Sequence, residues 1–176
     1  MEIYLVRHTK PKVDMGICYG QTDLEVEDTY TEELNEVKKI LPKKVEAIFS
    51  SPLKRCSQLA TDCYPNSNIE FESRLKELDF GKWEMKAWKE ISKKTLDEWM
   101  ADFINNAPPS GESMKDLSDR VLNWFFELQT SNVNSATVFT HAGIIRTLLS
   151  HMNDTPLHKA FDLYKVDYGQ VFSIRI

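Results

Sequence analysis

Cysteine is scarce and odd in number. The 176 residues contain three, Cys18, Cys56 and Cys63, with no C-x-x-C pair, which argues against a disulfide framework or a zinc knuckle. Cys56 and Cys63 lie in a helical pattern and read as buried thiols. Glycine (6) and proline (7) are few, so collagen-like and linker-rich architectures are excluded. Basic residues do not dominate: 22 Lys and Arg against 27 Asp and Glu give a net charge of −5. Nucleic-acid binders show a basic balance or stripe and anionic membranes attract one, so neither is an expected partner. No apolar run approaches the ~18 residues of a spanning helix. The opening apolar run, Ile3-Tyr4-Leu5-Val6, falls short of the roughly 7–15 residues of a secretory core, and no basic segment precedes it. A cytoplasmic location is the expectation. The field of a pocket is set locally, so the net acidity leaves a small anionic substrate open.

What is present reads as an ordinary globular chain, with 41% hydrophobic, 28% charged and 11% aromatic residues. No repeat, low-complexity tract or composition break divides it, so residues 1–176 are expected to form one domain. Folding at that size removes roughly 70% of the unfolded chain's surface from water, so no metal or disulfide staple is required. Short runs rich in β-branched and aromatic residues predict strands at Ile3–Arg7, Ala47–Ser50, Ile69–Phe71, Thr137–Thr140 and Val171–Ile176. The first lacks polar alternation, as a strand covered on both faces should. Helical patterns fall between them. Thr29–Leu41 carries acids early and lysines late, complementing the helix dipole. Pro52–Tyr64 starts with a proline suited to a first turn. Met85, Trp88, Ile91, Thr95, Trp99 and Phe103 recur at spacings of three and four and predict one long amphipathic helix. Ser113–Leu128, opened by a partial capping box of Ser113 and Asp116, and Gly143–Met152 follow, then a turn or two around Leu157–Tyr164. The tryptophans Trp88, Trp99 and Trp124 read as core, and the lysines from Lys82 to Lys94 as a solvated face. Alternating strands and helices predict an α/β fold, a three-layer αβα sandwich with a mainly parallel central sheet and a C-terminal edge strand.

In such sheets ligands gather at the carboxyl ends of the strands. Arg7-His8-Thr9 ends the first predicted strand, and Ser51-Pro52-Leu53-Lys54-Arg55 follows the second. Thr140-His141-Ala142-Gly143 joins the fourth to a helix. If these ends are adjacent, two histidines and two arginines converge beside a helix N-terminus, whose N–H groups favour anions. Arginine matches phosphate oxygens bidentately, and imidazole can attack phosphorus and carry it covalently. Phosphoryl transfer needs mostly positioning and charge neutralisation. The inferred site is therefore a phosphate pocket with a histidine nucleophile. No His-Glu-x-x-His or similar ligand cluster accompanies it, so neither metal nor other cofactor is expected.

Five blocks occur in order: Arg7-His8-Thr9, Ser51-Pro52-Leu53-x-Arg55, Glu77-Leu78-Asp79-Phe80-Gly81-x-Trp83-Glu84, Gly111-Glu112-Ser113 and Thr140-His141-Ala142-Gly143. Together they resemble the histidine phosphatase superfamily, the phosphoglycerate mutase-like group, over nearly the whole chain. Asp167-Tyr168-Gly169-Gln170 and the last strand resemble the family's usual ending. The resemblance implies that His8 accepts the phosphoryl group while Arg7, Arg55 and His141 hold its oxygens. It implies that Glu77 protonates the leaving alkoxide and then activates water, with Ala142 as a further substrate contact. The loop after the first strand leaves two readings open: Tyr19 or Gln21 touches the substrate, or the loop is a structural turn. Residues depart from the pattern in places. Thr9 stands where glycine is usual, Lys10 where an acid is usual, and Met85 where many relatives have glycine. Asp14 falls near the position of a supporting asparagine and is not counted in the site. Lys10 is expected to add positive charge near the pocket, while the acids of Glu25–Glu36 lie away from it in sequence.

Three readings follow: a phosphomonoesterase, a phosphoglycerate mutase-like enzyme, and a catalytically silent phosphate binder. The last would lack the nucleophile or acid, and neither is missing. Similarity to the larger mutases implies an insertion between the second arginine and the acid, yet only about 20 residues separate Arg55 from Glu77. An open site favours hydrolysis, because water must be excluded for phosphohistidine to await another acceptor. The expected partner is a small phosphorylated metabolite. The loop Gly16-Ile17-Cys18-Tyr19-Gly20-Gln21-Thr22-Asp23-Leu24 resembles that of the α-ribazole-5′-phosphate phosphatases of cobalamin assembly, which makes α-ribazole 5′-phosphate the substrate suggested by that likeness. Broad-specificity phosphatases share the same catalytic set.

Overall fold

A computed structural model describes Met1–Ile176. Its strands are β1 (Glu2–Arg7), β2 (Ala47–Ser50), β3 (Glu70–Phe71), β4 (Ser135–Thr140) and β5 (Val171–Arg175), in the sheet order β3-β2-β4-β1-β5. All neighbours are parallel except β5, which runs antiparallel to β1 along the edge. The helices are α1 (Tyr30–Ile40), α2 (Lys54–Cys63), α3 (Lys93–Ala101), α4 (Met114–Gln129), α5 (Ala142–Met152) and the single turn α6 (Ala160–Leu163).

Side chains alternate across a strand, and the two apolar clusters divide accordingly. Ile3 and Leu5 of β1 and Ala136 and Val138 of β4 pack with Leu117, Val121 and Trp124 of α4 and Ile145 and Leu148 of α5. Val6 and Phe139 face the other way, onto Val37 of α1 and Cys56, Leu59 and Ala60 of α2. These two layers make the expected three-layer αβα sandwich. The capping box of α4 is complete: Ser113 Oγ accepts from the Asp116 N–H at 3.2 Å, and Asp116 Oδ2 accepts from the Ser113 N–H at 2.9 Å. No helix is long and apolar enough to cross a membrane.

The long helix predicted through Met85–Phe103 does not form. The Met85 N–H donates to Cys18 O at 2.8 Å, the Cys18 N–H to Lys86 O at 2.9 Å and the Trp88 N–H to Gly16 O at 2.9 Å. These groups are committed to a short pairing with the loop after β1 and cannot serve a helix. Met85 itself adopts φ +63°, a left-handed conformation that glycine enters without steric cost. The spacing of three between Trp88 and Ile91 belongs to a 3-10 turn, Trp88–Glu90, before Ser92 opens α3. The periodicity marks an aromatic cluster of Phe80, Trp83, Trp88 and Trp99 rather than one helix. Pro52 likewise stands outside α2, whose N-cap is Leu53.

Candidate active site

The sheet register sets the site. Arg7 lies opposite Thr140 and Ser50 opposite Phe139, so three strands end level with one another. Beyond those ends the backbone stays tied: the His8 N–H donates to Thr140 O at 3.0 Å and the Ser51 N–H to Phe139 O at 2.9 Å. His8, Ser51 and His141 therefore project from adjacent positions, and Arg55, in the first turn of α2, reaches the same point.

The His8 ring is 2% exposed, and its tautomer follows from its partners. A carbonyl can only accept, so the Nδ1–Thr9 O contact of 2.6 Å places the proton on Nδ1. Nε2 keeps its lone pair and receives a long 3.4 Å bond from Arg55 Nε. Burial, with the Arg55 guanidinium next, holds the His8 pKa well below the ordinary imidazole value. At neutral pH this ring is uncharged. His141 is depressed in the same way, by burial first and then by Arg55 and His8. Its Nε2 lies 2.8 Å from Ser51 Oγ and 3.5 Å from Cys56 Sγ, and its ring centroid is 5.1 Å from that of His8. Arg55 is fully buried without a carboxylate; it donates to Gly20 O at 2.5 Å and Thr22 O at 2.9 Å.

A cleft of about 240 Å³ opens beside this cluster, with Arg7, His8, Tyr19, Glu77, Gly143 and Arg146 among its walls. Leu78, Phe80, Trp88 and Phe161 add apolar surface. Trp88, expected in the core, is thus part of the cleft. Glu77 is held by two N–H groups, from Leu78 at 3.1 Å and from Gly143 in the first turn of α5 at 3.2 Å. Its backbone carbonyl accepts from Gln21 Nε2 at 3.1 Å and Arg120 Nη2 at 3.1 Å. Arg7 donates Nη1 to Val166 O at 2.6 Å and lies over the Tyr168 ring at 3.8 Å from its centroid.

Arg7, His8, Tyr19 and Glu77 therefore share the cleft, with Arg55 and His141 packed against His8. Ala142 is the first residue of α5, buried next to His141. Gln21 does not line the cleft; its amide supports Glu77 from behind. Lys10 turns away: its ammonium lies 4.0 Å from Glu27, and Lys54 pairs with Glu25. The lysines flanking the site are thus paired at the surface, and the cations lining the cleft are Arg7 and Arg146. No group of three or more His, Cys, Asp and Glu side chains is arranged to hold a metal ion.

Four contributors were not singled out from the sequence. Ser51 partners His141, and Tyr168 packs on Arg7 with its hydroxyl 2.6 Å from that of Tyr19. Glu84 organises the loop by accepting from the N–H groups of Gln21 at 2.7 Å and Thr22 at 2.8 Å. Burial pushes the Glu84 pKa up, but the Thr22 hydroxyl and these N–H bonds outweigh it, so the net shift is downward. Arg146 enters the cleft from α5. Each lies in or beside a quoted block, and that adjacency was the only available signal.

The fold has counterparts. The α-ribazole phosphatase of Shigella flexneri superposes with a TM-score of 0.92 at 20% identity, covering 100% of this chain and 91% of that one. At that identity the likeness speaks for the fold alone. A Hydrogenobacter thermophilus protein named "Putative phosphoserine phosphatase 2" is 24% identical over 95% of this chain and 86% of its own length. A Salmonella choleraesuis protein named "Probable phosphoglycerate mutase GpmB" is 32% identical over 69% of this chain, and the match spans 60% of that protein. The profile of the histidine phosphatase superfamily (branch 1) matches residues 3–176. With a profile match that begins inside β1 and runs to the end of the chain, this protein belongs to the histidine phosphatase superfamily and is an enzyme of the phosphatase class.

Proposed function

We propose that the chain hydrolyses small phosphomonoesters through a phosphohistidine on Nε2 of His8. The observation that carries this reading is the state of His8: its proton is fixed on Nδ1 by Thr9 O, and burial keeps the ring neutral. The lone pair of Nε2 attacks phosphorus as the bond from phosphorus to the leaving oxygen breaks. Arg7, Arg55 and His141 hold the phosphoryl oxygens, and the first turn of α5 at Ala142 adds backbone donors. Glu77 gives its proton to the departing alkoxide. As a carboxylate it then takes a proton from water, whose oxygen attacks phosphorus as the P–N bond breaks. Phosphate leaves, and both His8 and Glu77 return to their starting states.

The finer reading is α-ribazole 5′-phosphate. It is supported by the Gly16–Leu24 loop, by the aromatic side chains of Trp88, Phe80 and Phe161 along the cleft, and by a similar fold in a protein bearing that name. The planar aromatic base carried by its leaving alcohol would lie against those rings. The test is rapid-quench trapping of phosphoenzyme, with kcat/KM measured over a panel that includes p-nitrophenyl phosphate and α-ribazole 5′-phosphate. His8→Ala should abolish both the trapped species and turnover, and retained turnover would remove His8 as the nucleophile. A value for α-ribazole 5′-phosphate no higher than for p-nitrophenyl phosphate would sink the finer reading alone.

A further inference from the structure

Glu77, the proposed acid, stands on backbone that neither helix nor strand holds: residues 76–80 belong to no regular element. From Glu77 to Phe80 no N–H donates to a backbone carbonyl. Polar side chains fill that place. Glu112 Oε1 accepts from the Asp79 N–H at 3.0 Å, and Glu84 Oε1 accepts from the Phe80 N–H at 3.2 Å. Buried peptide groups need partners somewhere, so residues outside the segment decide how it, and the acid on it, is aimed.

Glu112 works together with Arg120 of α4. Leu117 and Val121 of the same helix lie in the core, so the guanidinium springs from a fixed base. It grips the Glu112 carboxylate at two points, Nε to Oε2 at 3.0 Å and Nη2 to Oε1 at 2.6 Å. It also donates to Arg74 O at 2.5 Å and to Glu77 O at 3.1 Å. The pair thus holds the segment before Glu77, at Glu77 and beyond it. Side-chain exposures of 20% for Arg120 and 16% for Glu112 leave little water to compete for these bonds. Lys115 and Asp119, an exposed pair on the same helix, bond through their side chains only to each other. A surface pair of that kind contributes little, whereas Arg120 and Glu112 also satisfy two backbone carbonyls and an N–H. Neither lines the cleft, so neither reaches a substrate there.

We infer that Glu112 and Arg120 are positioning residues, which aim Glu77 at the leaving oxygen by holding its peptide. α4 fixes the backbone of the acid, while the Gly143 N–H of α5, at 3.2 Å, orients its carboxyl group. The inference rests on the reading of Glu77 as the acid and adds the device that places it.

Arg120→Lys keeps a cation against Glu112, so the fold should persist, but an ammonium cannot reproduce the planar fork that serves Glu112, Arg74 O and Glu77 O together. For glycerol 3-phosphate, which departs as an alkoxide in need of a proton, kcat/KM should fall about ten- to a hundredfold, the scale of a misplacement of up to about 1 Å. For p-nitrophenyl phosphate, whose good leaving group needs no acid, the loss should be about threefold at most. In a Glu77→Gln background the same change should cost less than about threefold on either ester, because the group being aimed is gone. Glu112→Gln keeps an acceptor for the Asp79 N–H and should show the same split more weakly. It carries the test if a urea titration shows that Arg120→Lys does not fold. Equal losses on both esters, or losses that multiply in full with Glu77→Gln, would mark a merely structural role and overturn the inference. So would glycerol 3-phosphate activity within about threefold of wild type in both variants. Failure of the acid reading looks different: Glu77→Gln alone would then lose equally on the two esters. Failure of the hydrolase reading would leave turnover intact in His8→Ala.

Discussion

Replacing Gly143 with alanine tests the proposed role of Glu77 without touching Glu77. A Cβ at that position would lie 2.3 Å from Glu77 Oε1, where ordinary contact begins near 3.4 Å. The carboxylate must therefore retreat by about 1 Å, and it can, because it is the free end of a flexible side chain. The other close atom, Leu117 Cδ1, sits at 3.4 Å and need not move. The cost to the fold is small. Alanine gains up to about 1 kcal/mol over glycine in a helix, offset by weakening of the 3.2 Å bond from the Gly143 N–H to Glu77, worth about 0.5–1.5 kcal/mol net. Stability should thus stay within ~2 kcal/mol of wild type. The cost to chemistry is larger, since a misplacement of about 1 Å can remove about 100-fold in rate. The assay is kcat/KM, which reports steps only through cleavage of the bond to the leaving oxygen and excludes the later attack of water. For glycerol 3-phosphate, whose alkoxide needs a proton, Gly143→Ala should lower kcat/KM by about 100-fold. For p-nitrophenyl phosphate, whose phenolate leaves unprotonated, the loss should be several-fold. A urea titration checks the fold in parallel. Alkyl-ester activity within about threefold of wild type, or an equal loss on both esters, would refute the assignment of Glu77 as the acid.

Other consequences follow from the same geometry. Burial depresses the pKa of His8 and of His141, so below about pH 6.5 the unfolded chain binds protons that the folded chain does not. Stability is therefore fully present above that pH and falls as pH drops, by up to about 1.4 kcal/mol per unit for each ring. Urea midpoints that stay flat between pH 6.5 and 5 would contradict it. Tyr168→Leu removes the ring beneath Arg7 and should lower kcat/KM about 3- to 30-fold on every phosphomonoester alike, on the scale of one cation–π contact. Tyr168→Phe keeps the ring and should lose less; equal losses would mean that the hydroxyl bond to Tyr19 matters instead. Turnover of p-nitrophenyl phosphate should survive exhaustive chelation, because the arginines and the α5 N-terminus provide the charge stabilisation. A requirement for added metal would overturn that account.

The strand and helix alternation, the sandwich and the ends bearing Arg7-His8, Arg55 and His141 were legible from the chain alone. Continuous apolar strands and punctuated helices are local patterns, and the motif blocks sit at the junctions between them. Spacing could not distinguish a helix from an aromatic cluster at Met85–Phe103. Periodicity records which side chains are buried, whereas the backbone partners that decide the conformation come from Gly16 and Cys18, far back in the sequence. Nor could it show that Lys10 and Lys54 pair with Glu27 and Glu25. Such pairs form only once the loop after β1 folds back. The sequence by itself determined the chemical inventory: two histidines, two arginines and a glutamate at or near strand ends. Tertiary structure alone decided the His8 tautomer, through Thr9 O, and the orientation of Glu77, through the N–H of Gly143. It also decided that Arg146 shares the cleft with them. Hydrogen bonds and desolvation depend on distances between residues that the chain order leaves free, and only packing fixes those distances.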